Sequence, residues 1–200
     1  MTFSIVKSKT MVISILVLSF FLIGGITYAA FMDKGSVLGS SFSVGSSDIK
    51  LLLNVAGNID SSNLTDEIPG PSFTNITPFW QRDYLVKIYN NATSTLTLTS
   101  ASNYTTANDT EDLRQIIFIE PLEWSDTNAN GLVDEGEVTY SYGRKTIIKW
   151  KTEGINLGTV NQGGIKGLIL RFSTDDISET KQGATGSFDF EFNAVPVTNQ

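Results

Sequence analysis

Residues 126–137 read Asp-Thr-Asn-Ala-Asn-Gly-Leu-Val-Asp-Glu-Gly-Glu, and their oxygen-bearing side chains fall at the spacing of a twelve-residue cation loop. Asp126, Asn128 and Asn130 stand at positions one, three and five, where side-chain oxygens converge. Gly131 at position six permits the sharp turn, and Leu132 at position seven offers its backbone carbonyl. Asp134 at position nine binds directly or through water, and Glu137 at position twelve is placed for bidentate ligation. The cation this set suits is Ca²⁺, a hard ion that takes six to eight oxygens. With only three carboxylates and no partner loop in the chain, the expected affinity is weak, about 10⁻⁴–10⁻³ M. At millimolar calcium such a site adds only ~0.4–1.4 kcal/mol to stability by linkage.

The elements around the loop decide what kind of site it is. Helices flank the loops of an EF-hand pair. Here residues 116–120 run into Pro121, and residues 138–142 alternate like a strand. The pattern predicts an EF-hand-like loop inserted between strands rather than a helix–loop–helix sensor. Period-two alternation dominates elsewhere. In residues 187–194, Phe188, Phe190, Phe192 and Ala194 share one face while Asp189, Glu191 and Asn193 share the other, the mark of a half-buried antiparallel strand. Further strands are expected over 48–54, 84–89, 95–99, 116–119, 138–142, 146–150 and 168–172, separated by Gly and Asn turns. No convincing amphipathic helix stands out. Residues 57–78, with Pro69, Pro71 and Pro78, and the polar residues 100–110 read as loops. The fold class expected is all-β, a jelly-roll-like antiparallel β-sandwich.

Composition removes several chemistries. The chain has no Cys and no His. A Cys nucleophile, a Ser-His-Asp triad and a His-ligated zinc are therefore impossible, and no local motif points to a carboxylate pair or a Ser-Lys dyad. The chain is read as a non-enzyme. Trp80, Trp124 and Trp150 are expected in packing roles rather than in a ligand groove.

The first thirty residues carry an export pattern. Lys7 and Lys9 precede an apolar run from Met11, and Ala29-Ala30 closes it with small residues. The alternative is an uncleaved anchor, because the run is nearly long enough to span a bilayer. Cleavage leaves residues 31–200, a length that suits a single domain. That part carries 12 basic against 21 acidic residues, a net charge of −9. Such a surface repels nucleic acid and anionic lipid and attracts cations. Secretion to the cell surface or extracellular space follows, with membrane contact only through an uncleaved signal segment.

The junction Gly24-Gly25-Ile26-Thr27-Tyr28-Ala29-Ala30-Phe31-Met32-Asp33 resembles the signal region of the TasA/camelysin family. Residues 42–51, from Phe42 and Gly45 to Ile49 and Leu51, are similar to the family's first strand, and Lys181-Gln182-Gly183 with residues 188–194 to its last. The resemblance implies a jelly-roll domain cut by a dedicated signal peptidase between Ala30 and Phe31; the small-residue rule alone favours a cut after Ala29. It also implies self-association into extracellular matrix or biofilm fibres, in which the N-terminal segment of one subunit, here residues 31–44, completes the sheet of the next. The calcium loop is not part of the family pattern. Camelysins are described as metallopeptidases, but this sequence offers no zinc-peptidase ligand set. Three functions are thus in play: a matrix-fibre subunit that binds calcium, a monomeric calcium-stabilised surface or adhesion domain, and a secreted camelysin-like metallopeptidase.

Overall fold

The computed structural model describes residues 41–44, 48–73 and 75–197. The signal segment, the cleavage junction at Ala30 and Phe31, and residues 31–40 of the expected donor segment lie outside them. The described chain begins with five short strands: β1 (Ser41–Val44), β2 (Ile49–Leu52), β3 (Leu64–Thr65), β4 (Glu67–Pro69) and β5 (Ser72–Phe73). Longer strands follow, namely β6 (Gln81–Asn90), β7 (Leu96–Asn103) and β8 (Ile117–Trp124). Next come β9 (Val138–Ser141), β10 (Lys145–Thr146) and a short α-helix, α1 (Ile147–Glu153). The last four strands are β11 (Ile155–Val160), β12 (Ile165–Thr174), β13 (Gly186–Ser187) and β14 (Asp189–Pro196).

Two sheets hold most of these strands. One has the order β11-β7-β14-β1-β4. The other runs β10-β8-β12-β6-β2-β3, with β9 also paired to β8. Every ladder among the described residues is antiparallel except that of β1 with β14, which is parallel and sets Phe42 opposite Phe190 and Val44 opposite Phe192. The alternation in β14 explains the shared core: Phe190 and Phe192 are fully buried while Glu191 is exposed. The Phe190 ring lies 5.5 Å from Phe172 of β12, joining the two sheets, and 5.5 Å from Phe42 of β1. Phe73 stacks 5.0 Å from Phe172 and 5.8 Å from Phe188, closing the same aromatic core.

Several expectations need correction. Residues 147–153 form a helix rather than the strand predicted at 146–150. The β-branched run Thr146-Ile147-Ile148 favours extended backbone, but Thr146 caps the helix by accepting from the Lys149 N–H. Ile147 and Trp150, three apart, bury on one face, and Gly154 ends the helix. The strand ending before Pro121 in fact continues to Trp124. Proline lacks an N–H, yet β10 pairs with Phe118 and Ile119 while β9 pairs with Leu122 to Trp124. Pro121 therefore sits at the break between two edge strands, where its carbonyl accepts the Tyr142 N–H. The stretch 57–78 carries three short strands, and residues 100–103 of the stretch 100–110 belong to β7, with Ser100 and Ser102 buried.

Candidate calcium site

The loop 126–137 leaves the end of β8 and returns as β9, so two paired strands fix its ends. The Ser125 N–H donates to the Glu137 carbonyl at 2.9 Å, which closes its base. Inside, the Asp126 carboxylate accepts the Asn130 N–H at 3.0 Å through Oδ1 and the Gly131 N–H at 2.9 Å through Oδ2. Asn128 Oδ1 accepts the same Asn130 N–H at 3.0 Å, and Asn130 Oδ1 accepts the Leu132 N–H at 2.7 Å. Asp134 Oδ2 is met by two amides, from Asn128 at 2.7 Å and Asn130 at 2.8 Å. The side chains at positions one, three, five and nine thus converge, and a half-turn of the two amides would present oxygen in place of nitrogen. Leu132 is exposed, and Gly131 has φ +71°. Its glycine identity is also a matter of room, since a Cβ there would lie 2.6 Å from that of Ala56.

Glu137 is placed differently from a free bidentate ligand. It is 4% exposed, and both carboxylate oxygens are occupied. Oε1 accepts from the Thr127 N–H at 2.9 Å and hydroxyl at 3.0 Å. Oε2 accepts from the Trp124 indole at 3.1 Å and the Asp134 N–H at 3.1 Å. A carboxylate has about four lone-pair sites, so this one is saturated. The indole and backbone donors hold its pKa below the ordinary range against burial. Among the described residues no three His, Cys, Asp or Glu side chains gather into one cluster that could hold an ion. A cation here would draw on the Asp126 and Asp134 carboxylates, the amide oxygens of Asn128 and Asn130 and the Leu132 carbonyl, with Glu137 joining only by giving up some of its hydrogen bonds. That donor set is all oxygen and suits a hard ion held weakly.

A residue absent from the sequence motif completes the site. Lys87 of β6 donates from Nζ to Asp126 Oδ2 at 2.6 Å and to the Val55 carbonyl at 2.6 Å. Burial raises the Asp126 pKa, but the Lys87 hydrogen bond, the Gly131 N–H and the Lys87 charge outweigh it, leaving the carboxyl below its ordinary value. The register explains how Lys87 arrives there: Lys87, Gly167 and Trp124 stand opposite one another across β6, β12 and β8. A Cβ on Gly167 would lie 2.4 Å from the Trp124 carbonyl and 3.3 Å from its ring, so only glycine leaves the lane open. The ammonium crosses it to lie 4.9 Å above the indole. Leu122, Trp124 and Ile169, with Val55 and Leu85, form a small apolar cluster apart from the main core. No pattern in the sequence links residue 87 to residue 126, because the contact depends on strand order.

Beside the loop is a second polar network. Lys166 donates to Glu123 at 3.0 Å, to the Tyr142 hydroxyl at 3.0 Å and to the Leu157 carbonyl at 3.1 Å, while the Tyr142 hydroxyl donates to Glu123. For Glu123, burial raises the pKa, but the Tyr142 and Lys166 hydrogen bonds and the Lys166 charge bring it below its ordinary 4.5. For Tyr142, burial and then the Glu123 hydrogen bond and charge raise it above its ordinary 10.0. A lowered acid stabilises above its unfolded pKa and loses that contribution as the pH falls through its folded one. A raised phenol stabilises below its unfolded pKa and loses that as the pH rises through its folded one. The stability difference between wild type and Tyr142→Phe is thus expected to be about 1 kcal/mol and level from about pH 5 to 10, shrinking outside that range. Thermal melts across pH check it, and a difference that varies through pH 6–8 would reject the network.

No family model, curated protein or solved structure matches the chain. The fold and the loop therefore define only a class: a β-rich protein of antiparallel sheets with an oxygen-lined loop between two strands.

Proposed function

We propose that the exported chain is a structural subunit of an extracellular surface filament or biofilm matrix fibre, built on a jelly-roll domain and binding calcium at 126–137. The observation that carries the reading is the position of β1. It is four residues long, lies between β14 and β4, and runs parallel to β14, with Phe42 buried against Phe190 and Phe192. A short N-terminal strand that fills a slot between two longer-range partners is the kind of element that neighbouring copies exchange, because the same hydrogen bonds and the same pocket are satisfied in trans. The resemblance of residues 24–33 and 42–51 to the TasA/camelysin family supports it, and so does the acidic charge of a surface meant for cations.

The monomeric adhesion-domain reading has one observation in its favour: β1 already pairs within its own chain. The absence of native cysteine allows a direct test. Ser43 and Glu191 are opposite one another in the parallel ladder. Adjacent strands lie about 4.8 Å apart, within disulfide reach. Under assembly conditions the double variant Ser43→Cys, Glu191→Cys is expected to give a covalent ladder of multimers on a non-reducing gel. Exclusively intramolecular bonds, with no fibres by electron microscopy, would refute strand donation and leave the adhesion domain.

A further inference from the structure

Lys87 brings a positive charge to a loop whose sequence pattern calls for a metal. Its side chain is 10% exposed, and that of its partner Asp126 is 2% exposed. The ammonium is bound to the very oxygen that also takes the Gly131 N–H, and so to the carboxylate at position one of the loop. Its other hydrogen bond, to the Val55 carbonyl, ties the loop to the segment against which Gly131 packs. We infer that Lys87 is a tethered counter-cation for the 126–137 loop: it holds the first carboxylate in place when no metal is bound, and competes with calcium when one arrives. The inference rests on the calcium reading of the loop.

The physical case is one of charge and room. An unpaired carboxylate as buried as Asp126 is unfavourable, so a loop with no ion needs another positive group. Lys87 supplies it from a central strand, through the lane left open by Gly167. A calcium ion that ligates Asp126 would stand within a few ångströms of this ammonium, with little water between them to screen the repulsion. Binding must then either take place beside a like charge or push the lysine away from both of its acceptors. Each route lowers the affinity, and each leaves the loop ordered in the absence of metal. A lysine that merely neutralises Asp126 as a structural partner would do neither: its removal would lower stability equally with and without calcium, and the affinity would not change.

The test uses the exported protein, with calcium ion alone as the probe, followed by calorimetric titration, by Trp124 fluorescence and by thermal melting in chelator and in millimolar calcium. Lys87→Met is expected to bind calcium about tenfold more tightly than wild type, a change of 1.4 kcal/mol. In chelator its thermal midpoint is expected to fall by about 5 °C. Calcium should recover most of that loss, so its midpoint shift exceeds that of wild type. Lys87→Arg keeps the charge and is expected within about threefold of wild type, the cost of a changed fork geometry. Should Lys87→Met not fold, Lys87→Gln answers the same question with a polar chain of lower charge. Tight binding by the neutral variant where wild type shows none also supports the inference. Equal or weaker affinity in a folded neutral variant overturns it while leaving calcium binding by the loop intact. No heat from wild type or any variant removes the calcium reading and the inference with it.

Discussion

Phe42→Ala is expected to lower the stability of the domain by about 3–5 kcal/mol, one of the larger effects a single truncation can have. The ring is 1% exposed and is surrounded by Phe190 at 5.5 Å, Phe192 at 6.3 Å and Tyr84 at 6.4 Å. These neighbours come from both sheets, so the cavity left behind lies at their interface and cannot be closed by moving one strand. The effect is amplified by the shortness of β1. With three register pairs on each side, the strand is held by few ladder bonds, and Phe42 is its one fully buried side chain. A loss of that size corresponds to about 6–20 °C in thermal midpoint for a domain of this length. Ser43→Ala in the same strand is expected to stay within about 0.5 kcal/mol. Thermal melts give the first readout, and protease cleavage near residues 41–44 gives the second, because an undocked β1 becomes accessible. A cost below about 1 kcal/mol would mean that Phe42 is not seated in this pocket in the isolated chain. In an assembled fibre the same ring would be supplied by a neighbour, so the variant should also lower the yield of fibres.

Why some of this was legible in advance and some was not follows from the range of the interactions. β14 announces itself because Phe188, Phe190 and Phe192 alternate with charged residues, and alternation is a local consequence of the pleat. The oxygen pattern of 126–137 is equally local. Helix α1 was hidden because its signal is a balance: Ile147 and Ile148 favour a strand, and only the Thr146 cap, the Ile147–Trp150 pair and Gly154 tip it. Pro121 looked like a strand terminator because its tolerance depends on where β9 and β10 part, and nothing near it in the chain states that. The parallel pairing of β1 and β14 joins residues nearly 150 apart, and Lys87 meets Asp126 across 39 positions. Such contacts are products of topology. They place the most informative residue of the site, Lys87, outside the motif that points to the site.

Glu137→Ala is expected to abolish calcium binding and also to lower the thermal midpoint in chelator, a combination that an ordinary ligand residue would not produce. Asp126→Ala is expected to abolish the calcium heats as well. The reason for the double effect at Glu137 is its set of four donors. Thr127 and Trp124 come from the start of the loop and Asp134 from its far side, so the one carboxylate ties the beginning, the end and the anchoring strand β8 together. Alanine leaves these donors without their acceptor and removes the twelfth position at once. Glu137→Gln is nearly as informative. One of its terminal atoms becomes an NH₂ group and must face two donors, either those of Thr127 or those of Trp124 and Asp134. The isosteric change is therefore also expected to loosen the loop, with the Trp124 fluorescence shifting in chelator as the indole loses its partner. Calcium ligation through Glu137 requires some of these hydrogen bonds to be given up, which adds a second reason for weak affinity beside the Lys87 charge. Calorimetric titration and chelator melts of both variants decide the matter. Calcium heats that survive in Glu137→Ala would remove residue 137 from the ligand set, and an unchanged midpoint in chelator would remove it from the loop's framework.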